Sequence, residues 1–177
     1  MSFKQLYIFV EGPDDKRFFE SIFFPFFDQV FNTVKAIPYR QLKKEIVIKY
    51  IETFNSQPSS DYIFIGDMDA RGNPLCITRR KEIINEQYKN KINDSKLFII
   101  KEEIESWYAA IAGNEFCNEK KLTFPSLSDS LTKEEFERKV PKDYTSNTFM
   151  VEIIKNADIE KAKKMNTSFA YFCNKFL

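Results

Sequence analysis

Histidine is absent from the 177 residues, and much of the usual catalytic repertoire goes with it. No Ser-His-Asp triad, Cys-His pair or His-rich zinc site can be assembled within this chain. Hydrolytic chemistry would have to run on carboxylates, Lys, Tyr or a carboxylate-bound metal. Cysteine is scarce as well: Cys76, Cys117 and Cys173 are odd in number, widely spaced and lack the paired spacing of a zinc site. They read as reduced, structural thiols, which agrees with a cytoplasmic location. The longest apolar runs fall well short of a membrane span. Phe3-Lys4-Gln5-Leu6-Tyr7 carries no signal-peptide pattern, so no membrane partner is expected. Charge of one sign is missing too, because a formal net charge of +1 creates no global field toward nucleic acid. Any such binding must use local patches.

What is present suits one soluble domain with a sizeable core: 43% hydrophobic and 30% charged residues, with 19 Phe but only 4 Gly. Residues 6–10 are short, apolar and bulky, the pattern of a strand buried on both faces. Glu11-Gly12-Pro13-Asp14-Asp15 then reads as a turn with proline and acids where a helix start favours them. A helix is expected over residues 16–24, a strand over 31–37 closed by Pro38, and a helix over 42–53. A third strand covers residues 62–65. Asn73-Pro74 is a plausible start for a helix reaching about Tyr88. Residues 96–100 form the fourth strand and 104–112 the next helix. This alternation predicts an α/β fold with a mostly parallel four-stranded sheet flanked by helices, occupying residues 1–113. Residues 114–177 carry no convincing strand and predict a helical extension packed on that core. Within it, Thr132-Lys133-Glu134-Glu135 has the form of a capping box, and residues 151–156 and 168–176 suggest further helices.

The chemistry concentrates in Ile63-Phe64-Ile65-Gly66-Asp67-Met68-Asp69-Ala70-Arg71-Gly72. Side chains two apart on an extended backbone leave the same face, so Asp67 and Asp69 can aim at one spot. Two carboxylates so placed repel unless a cation or proton lies between them. A hard divalent ion with a preference for oxygen ligands suits that spot. In open parallel sheets, ligands bind beyond the carboxyl ends of the strands. Three of the four expected strands end there in acids: Glu11, then Asp67 and Asp69, then Glu102, Glu103 and Glu105.

Glu11-Gly12-x-x-Asp15 after one strand and Asp67-x-Asp69-x-x-Gly72 after a later one together resemble the Toprim domain. That Rossmann-like fold is shared by topoisomerases, bacterial primases, recombination mediators and several nuclease families, and the likeness covers about residues 6–112. Lys101-Glu102-Glu103-Ile104-Glu105-Ser106-Trp107-Tyr108 is similar to the acidic stretch of OLD-type nucleases and small stand-alone Toprim proteins. Asn166-Thr167-Ser168-Phe169 is similar to the tail of that small group, some of which are linked to phage defence. Pro13 stands where primases and ribosomal-RNA maturases usually carry Lys. No zinc module or strand-passing domain fits in the remaining residues.

The resemblance implies phosphodiester hydrolysis with Mg²⁺ or Mn²⁺. Glu11 would be the acid/base residue and Asp67 and Asp69 the metal ligands, with Glu11 itself, Asp15, Glu103 and Glu105 as further metal candidates. Arg71 or Lys101 would neutralise the pentavalent state. DNA or RNA would be the partner, with a partner ATPase or a homodimer as candidate assemblies.

Plainer readings stand beside these. Asp67 and Asp69 also suit a helix-capping turn, Glu11 and Asp15 suit the first turn of the next helix, and Glu103 and Glu105 share a face only if the strand continues. Trp107 and Tyr108 suit packing. Arg79-Arg80-Lys81 and Lys161-Ala162-Lys163-Lys164 suit solvated helix faces. The main functional alternative is a Toprim-fold subunit that binds metal or nucleic acid without turnover. A metal-dependent phosphatase or phosphotransferase ranks lower, since the haloacid-dehalogenase type places Asp-x-Asp after the first strand with a following Thr.

Overall fold

The computed structural model describes residues 3–68 and 76–177. Its sheet has the order β2-β1-β3-β4, built from β1 (Gln5–Val10), β2 (Thr33–Pro38), β3 (Ser60–Asp67) and β4 (Leu97–Ile100). β1 runs parallel to both β2 and β3, with Val10 level with Pro38 and Phe9 level with Phe64. Helices α1 (Pro13–Ile22), α2 (Phe24–Phe27), α3 (Lys44–Ser56) and α4 (Ile77–Gln87) separate the strands. This is the mostly parallel, Rossmann-like α/β arrangement expected from the alternation of patterns.

The chain leaves β1 toward β2, returns across β1 to β3, and continues outward to β4. With right-handed crossovers, that reversal puts α1 on one face of the sheet and α3 and α4 on the other. The packing agrees. Val47, Ile48, Ile51 and Phe54 recur at helical spacing along α3 and share one apolar cluster with Phe9, Phe64, Ile99 and Ile84 of α4. α1 instead lies against β2. Phe9 and Phe64 are fully buried, their rings 5.5 Å apart. Burying each such side chain contributes on the order of 2 kcal/mol.

Several boundaries move for local reasons. α1 starts at Pro13 rather than Lys16, because proline fits a first helical turn and Asp15 accepts from the Gly12 N–H at 3.1 Å. α4 starts at Ile77, where Cys76 Sγ accepts from the Arg79 N–H at 3.4 Å; Asn73 and Pro74 lie outside the described residues.

The chain divides into two compact units, Met1–Ile99 and Ile100–Leu177. The division comes earlier than the composition change at Gly113, because α5 (Ile104–Ile111) packs with the later helices α7 (Lys133–Glu137), α8 (Ser146–Lys155) and α9 (Ile159–Met165). Every residue of α5 is buried. The second unit also holds α6 (Asn114–Glu119) and α10 (Thr167–Phe176).

Inside this helical unit lies a buried, uncharged polar network. Trp107 Nε1 donates to Ser168 Oγ at 2.8 Å, and Ser168 Oγ donates to Asn166 Oδ1 at 2.7 Å. Asn166 Oδ1 also accepts from the Phe169 N–H at 2.9 Å, which caps α10 and fixes the orientation of the amide. Asn166 Nδ2 donates to Ser106 Oγ at 3.4 Å and to Ser128 Oγ at 3.1 Å. Those hydroxyls pass on to the Lys101 and Met165 carbonyls. The Asn166-Thr167-Ser168-Phe169 segment is thus the staple of this unit. Among the described residues, no helix is long and apolar enough to cross a membrane.

Candidate functional site

β1 and β3 are the adjacent strands at which the chain reverses its direction of travel across the sheet. Helices leave them toward opposite faces, which opens a crevice beyond their carboxyl ends. Glu11 directly follows β1 and Asp67 is the last residue of β3. Both are buried. Glu11 Oε1 accepts from the backbone N–H of Asp67 at 3.2 Å, so the two acids, far apart in sequence, meet at one point of the rim.

Glu11 is held from the β2 side as well. Val10 is level with Pro38, so the 3₁₀ turn that follows β2, Tyr39–Gln41, arrives alongside Glu11. The Tyr39 hydroxyl donates to Glu11 Oε1 at 3.0 Å, and Arg40 closes an ion pair on Oε2. From α4, Arg80 Nε donates to the Asp67 carbonyl oxygen at 2.8 Å and ties the helix to the end of β3. Burial, and then the charge of Glu11, push the Tyr39 phenol well above its usual range, so it stays a hydrogen-bond donor. Burial followed by the Glu11 charge also raises Tyr88.

Glu11 forms part of the wall of a cavity of about 250 Å³, together with Tyr39, Arg40, Lys44, Arg80 and Tyr88. Four of these five neighbours carry no motif. The signal that could have found Tyr39 and Arg40 is positional: the first residues after a parallel strand beside β1 must reach the same rim. Arg80 differs from its neighbours in the Arg79-Arg80-Lys81 run. Arg79 points to Glu82 at 2.8 Å, and Lys81 reaches Asp94 at 3.3 Å.

The remaining sequence candidates separate. Asp15 sits in the first turn of α1 on the Gly12 N–H. Asp69 and Arg71 lie outside the described residues. The strand does not continue through Glu103 and Glu105. Glu102 takes φ 63°, in the left-handed region that residues with side chains seldom occupy, and this kink ends β4. Glu103 is consequently the N-cap position of α5, so strand alternation cannot pair it with Glu105. Both acids instead reach one lysine: Glu103 Oε2 accepts from the Lys133 N–H at 3.1 Å, and Glu105 lies 3.3 Å from Lys133 Nζ. Burial raises the Glu105 carboxyl above its usual range, against its backbone hydrogen bond and Lys133. Lys101 faces Asp129 at 3.6 Å, a carboxylate that also accepts from the Thr167 N–H and hydroxyl. Within the helical unit these charges therefore tie helix ends together. Trp107 and Tyr108 are buried packing residues.

Among the described residues, no group of three or more His, Cys, Asp or Glu side chains is placed to hold a metal ion. Comparison of the chain with protein-family models, curated proteins and solved structures gave no match, so the likeness to Toprim proteins rests on the residues quoted above.

Proposed function

We propose that the rim formed by Glu11 and Asp67 is the active site of a Mg²⁺- or Mn²⁺-dependent phosphodiesterase acting on DNA or RNA in the cytoplasm. The observation that carries this reading is the meeting of Glu11 with Asp67 beside a cavity walled by Arg40, Lys44 and Arg80. The donor set, carboxylates without nitrogen or sulfur ligands, is the kind a hard divalent ion takes. Asp67, with Asp69 two residues on in the sequence, would hold it. Bound there, the ion would supply charge to offset the phosphate and to acidify a water.

The protein's own groups do the rest. Glu11 takes a proton from the attacking water or returns one to the leaving oxygen. Tyr39 and the Asp67 N–H keep its carboxylate oriented. Arg40 and Lys44 hold the phosphate oxygens from the cavity side. A role in phage defence belongs to this reading through the resemblance of the acidic stretch and the tail.

The test is incubation with labelled single- and double-stranded DNA and RNA in Mg²⁺ or Mn²⁺. Cutting is expected, with loss in both Glu11→Gln and Asp67→Ala while each variant keeps its circular dichroism. Cutting that survives in either variant sinks the reading.

One observation favours the alternative of a non-catalytic partner subunit: Glu11 already has Arg40 on one oxygen and two donors on the other. That subunit would bind metal or nucleic acid and cut nothing, even with a candidate ATPase added.

A further inference from the structure

Glu11 meets its neighbours unequally at its two carboxylate oxygens. Oε1 accepts from the Tyr39 hydroxyl at 3.0 Å and from the Asp67 N–H at 3.2 Å. A carboxylate oxygen has two lone pairs, so Oε1 is fully used. Both of its donors are anchored, since Tyr39 is buried and the Asp67 N–H belongs to the last residue of β3. Oε2 is held differently. Its partner is the Arg40 guanidinium, on a side chain more than half exposed, whereas the Glu11 side chain is buried. The turn Tyr39–Gln41 thus puts a buried donor on one oxygen and an exposed cation on the other.

We propose that Arg40 is a stand-in cation on the oxygen of Glu11 that a divalent ion would take, so that ion and guanidinium compete for Oε2. The inference rests on reading this rim as a metal site. It adds which oxygen of Glu11 faces the ion and what the ion displaces. Glu11 and Asp67 bring two carboxylates to the rim, and together they favour a cation there. An arriving dication is drawn by both, and it repels a guanidinium held on the same oxygen. Arg40 can yield, because a side chain already this exposed exchanges Oε2 for water. Once displaced it remains on the wall of the cavity, where it can hold a phosphate oxygen. The crowding of Glu11 then describes the site before metal arrives.

The experiment is titration of the whole chain with Mn²⁺ and no nucleic acid, the free ion being followed by its paramagnetic resonance signal. Arg40→Gln should bind Mn²⁺ about fivefold or more tighter than the wild type. Arg40→Ala, which removes the guanidinium without adding an amide, should behave alike. Lys44→Gln removes an exposed charge from the same wall and should change the affinity by less than about twofold. In Glu11→Gln an amide nitrogen replaces Oε2, so adding Arg40→Gln to it should bring no further gain. Equal or weaker binding in both Arg40 variants, at unchanged circular dichroism, overturns the proposal. An equal gain in Lys44→Gln, or in the Glu11→Gln background, overturns it too. The cutting assay separates this inference from the reading beneath it. Cutting with a Mn²⁺ affinity that Arg40→Gln does not move leaves the phosphodiesterase and removes the competition. Tighter Mn²⁺ binding through Glu11 with no polymer cut does the reverse.

Discussion

Two buried polar clusters occupy this chain, and they are built on opposite terms. Around Asn166 every group is neutral, and each donor hands on to an acceptor until the chain ends in backbone carbonyls. Around Glu11 the groups are charged, and the cluster opens onto a cavity. A closed neutral network in an apolar interior specifies structure, because every partner is satisfied and nothing is left to meet a ligand. A charged cluster at a strand rim costs desolvation that packing alone does not require. The lesson is that burial of polar residues does not by itself mark function. The presence of charge and of an opening distinguishes the two cases.

The comparison breaks most visibly at Asn166. Asn166→Ala removes the cap of α10 and leaves the Ser106, Ser128 and Ser168 hydroxyls short of partners, so a loss of about 3 kcal/mol or more is expected in urea denaturation. A loss under about 1 kcal/mol would mean that the network is not the staple described. The counterpart at the rim is Glu11→Gln, which should lower metal-dependent cutting by about a hundredfold or more. The amide oxygen still accepts from Tyr39 and from the Asp67 N–H, and the lost ion pair leaves a guanidinium that is 58% exposed and can turn to water, so the unfolding midpoint should move by only a few degrees. If that variant instead unfolds and keeps its cutting rate per folded molecule, the two clusters have exchanged roles.

Backbone crowding tests the helical unit independently of its polar network. A Cβ at Gly113 would lie 2.6 Å from the Asn156 carbonyl oxygen, which is backbone and cannot swing aside. The same carbonyl accepts from the Gly113 N–H at 3.0 Å. Gly113→Ala should therefore cost about 2 kcal/mol by urea denaturation. Trp107→Phe takes the donor from Ser168 and leaves part of the indole's space empty, and should cost about 2 kcal/mol, still below Asn166→Ala.

The smallest effect is one of pH. Burial raises the folded-state pKa of Glu105 above its unfolded value, so the folded unit binds more protons than the unfolded chain between those two pKa values. This contribution favours folding below the unfolded pKa and is lost as pH rises through the folded one. Glu105→Gln abolishes that titration, so the variant should gain stability relative to the wild type from acid to neutral pH. Urea midpoints of both proteins across that range check it. A constant difference would show that Lys133 fully offsets the burial of the carboxylate.

Much of the architecture was legible in the chain. β1, β3 and β4 lie on bulky apolar runs, β2 lies over the stretch that Pro38 closes, and the Thr132 capping box opens α7 as its spacing requires. α6 and α9 escaped notice because they are short and bury few residues: Phe116 and Cys117 in one, Ala162 alone in the other. A periodicity needs more turns than that to rise above its surroundings. Of the site, Glu11 and Asp67 could be read because strand ends in a parallel sheet share one rim. Arg40 had only its place after the strand beside β1 to mark it, and Arg80 had no mark at all. Successive residues of a helix point about 100° apart, so nothing in Arg79-Arg80-Lys81 says which one turns inward. The fate of Glu103 and Glu105 depended on a left-handed residue at Glu102, a position where the sequence offers no glycine to announce it.

The place of β1 within the sheet has one more consequence. Its amides are shared with a neighbour on either side, whereas β2 is an outer strand and only half-buried. Opening that starts at the margin of a sheet reaches the middle last. Glu11 extends from the middle strand, while Tyr39 and Arg40 follow the marginal one. Fraying of β2 would thus lift the guanidinium and phenol away while the carboxylate kept its station, and amide exchange should be faster along Thr33–Pro38 than along Gln5–Val10.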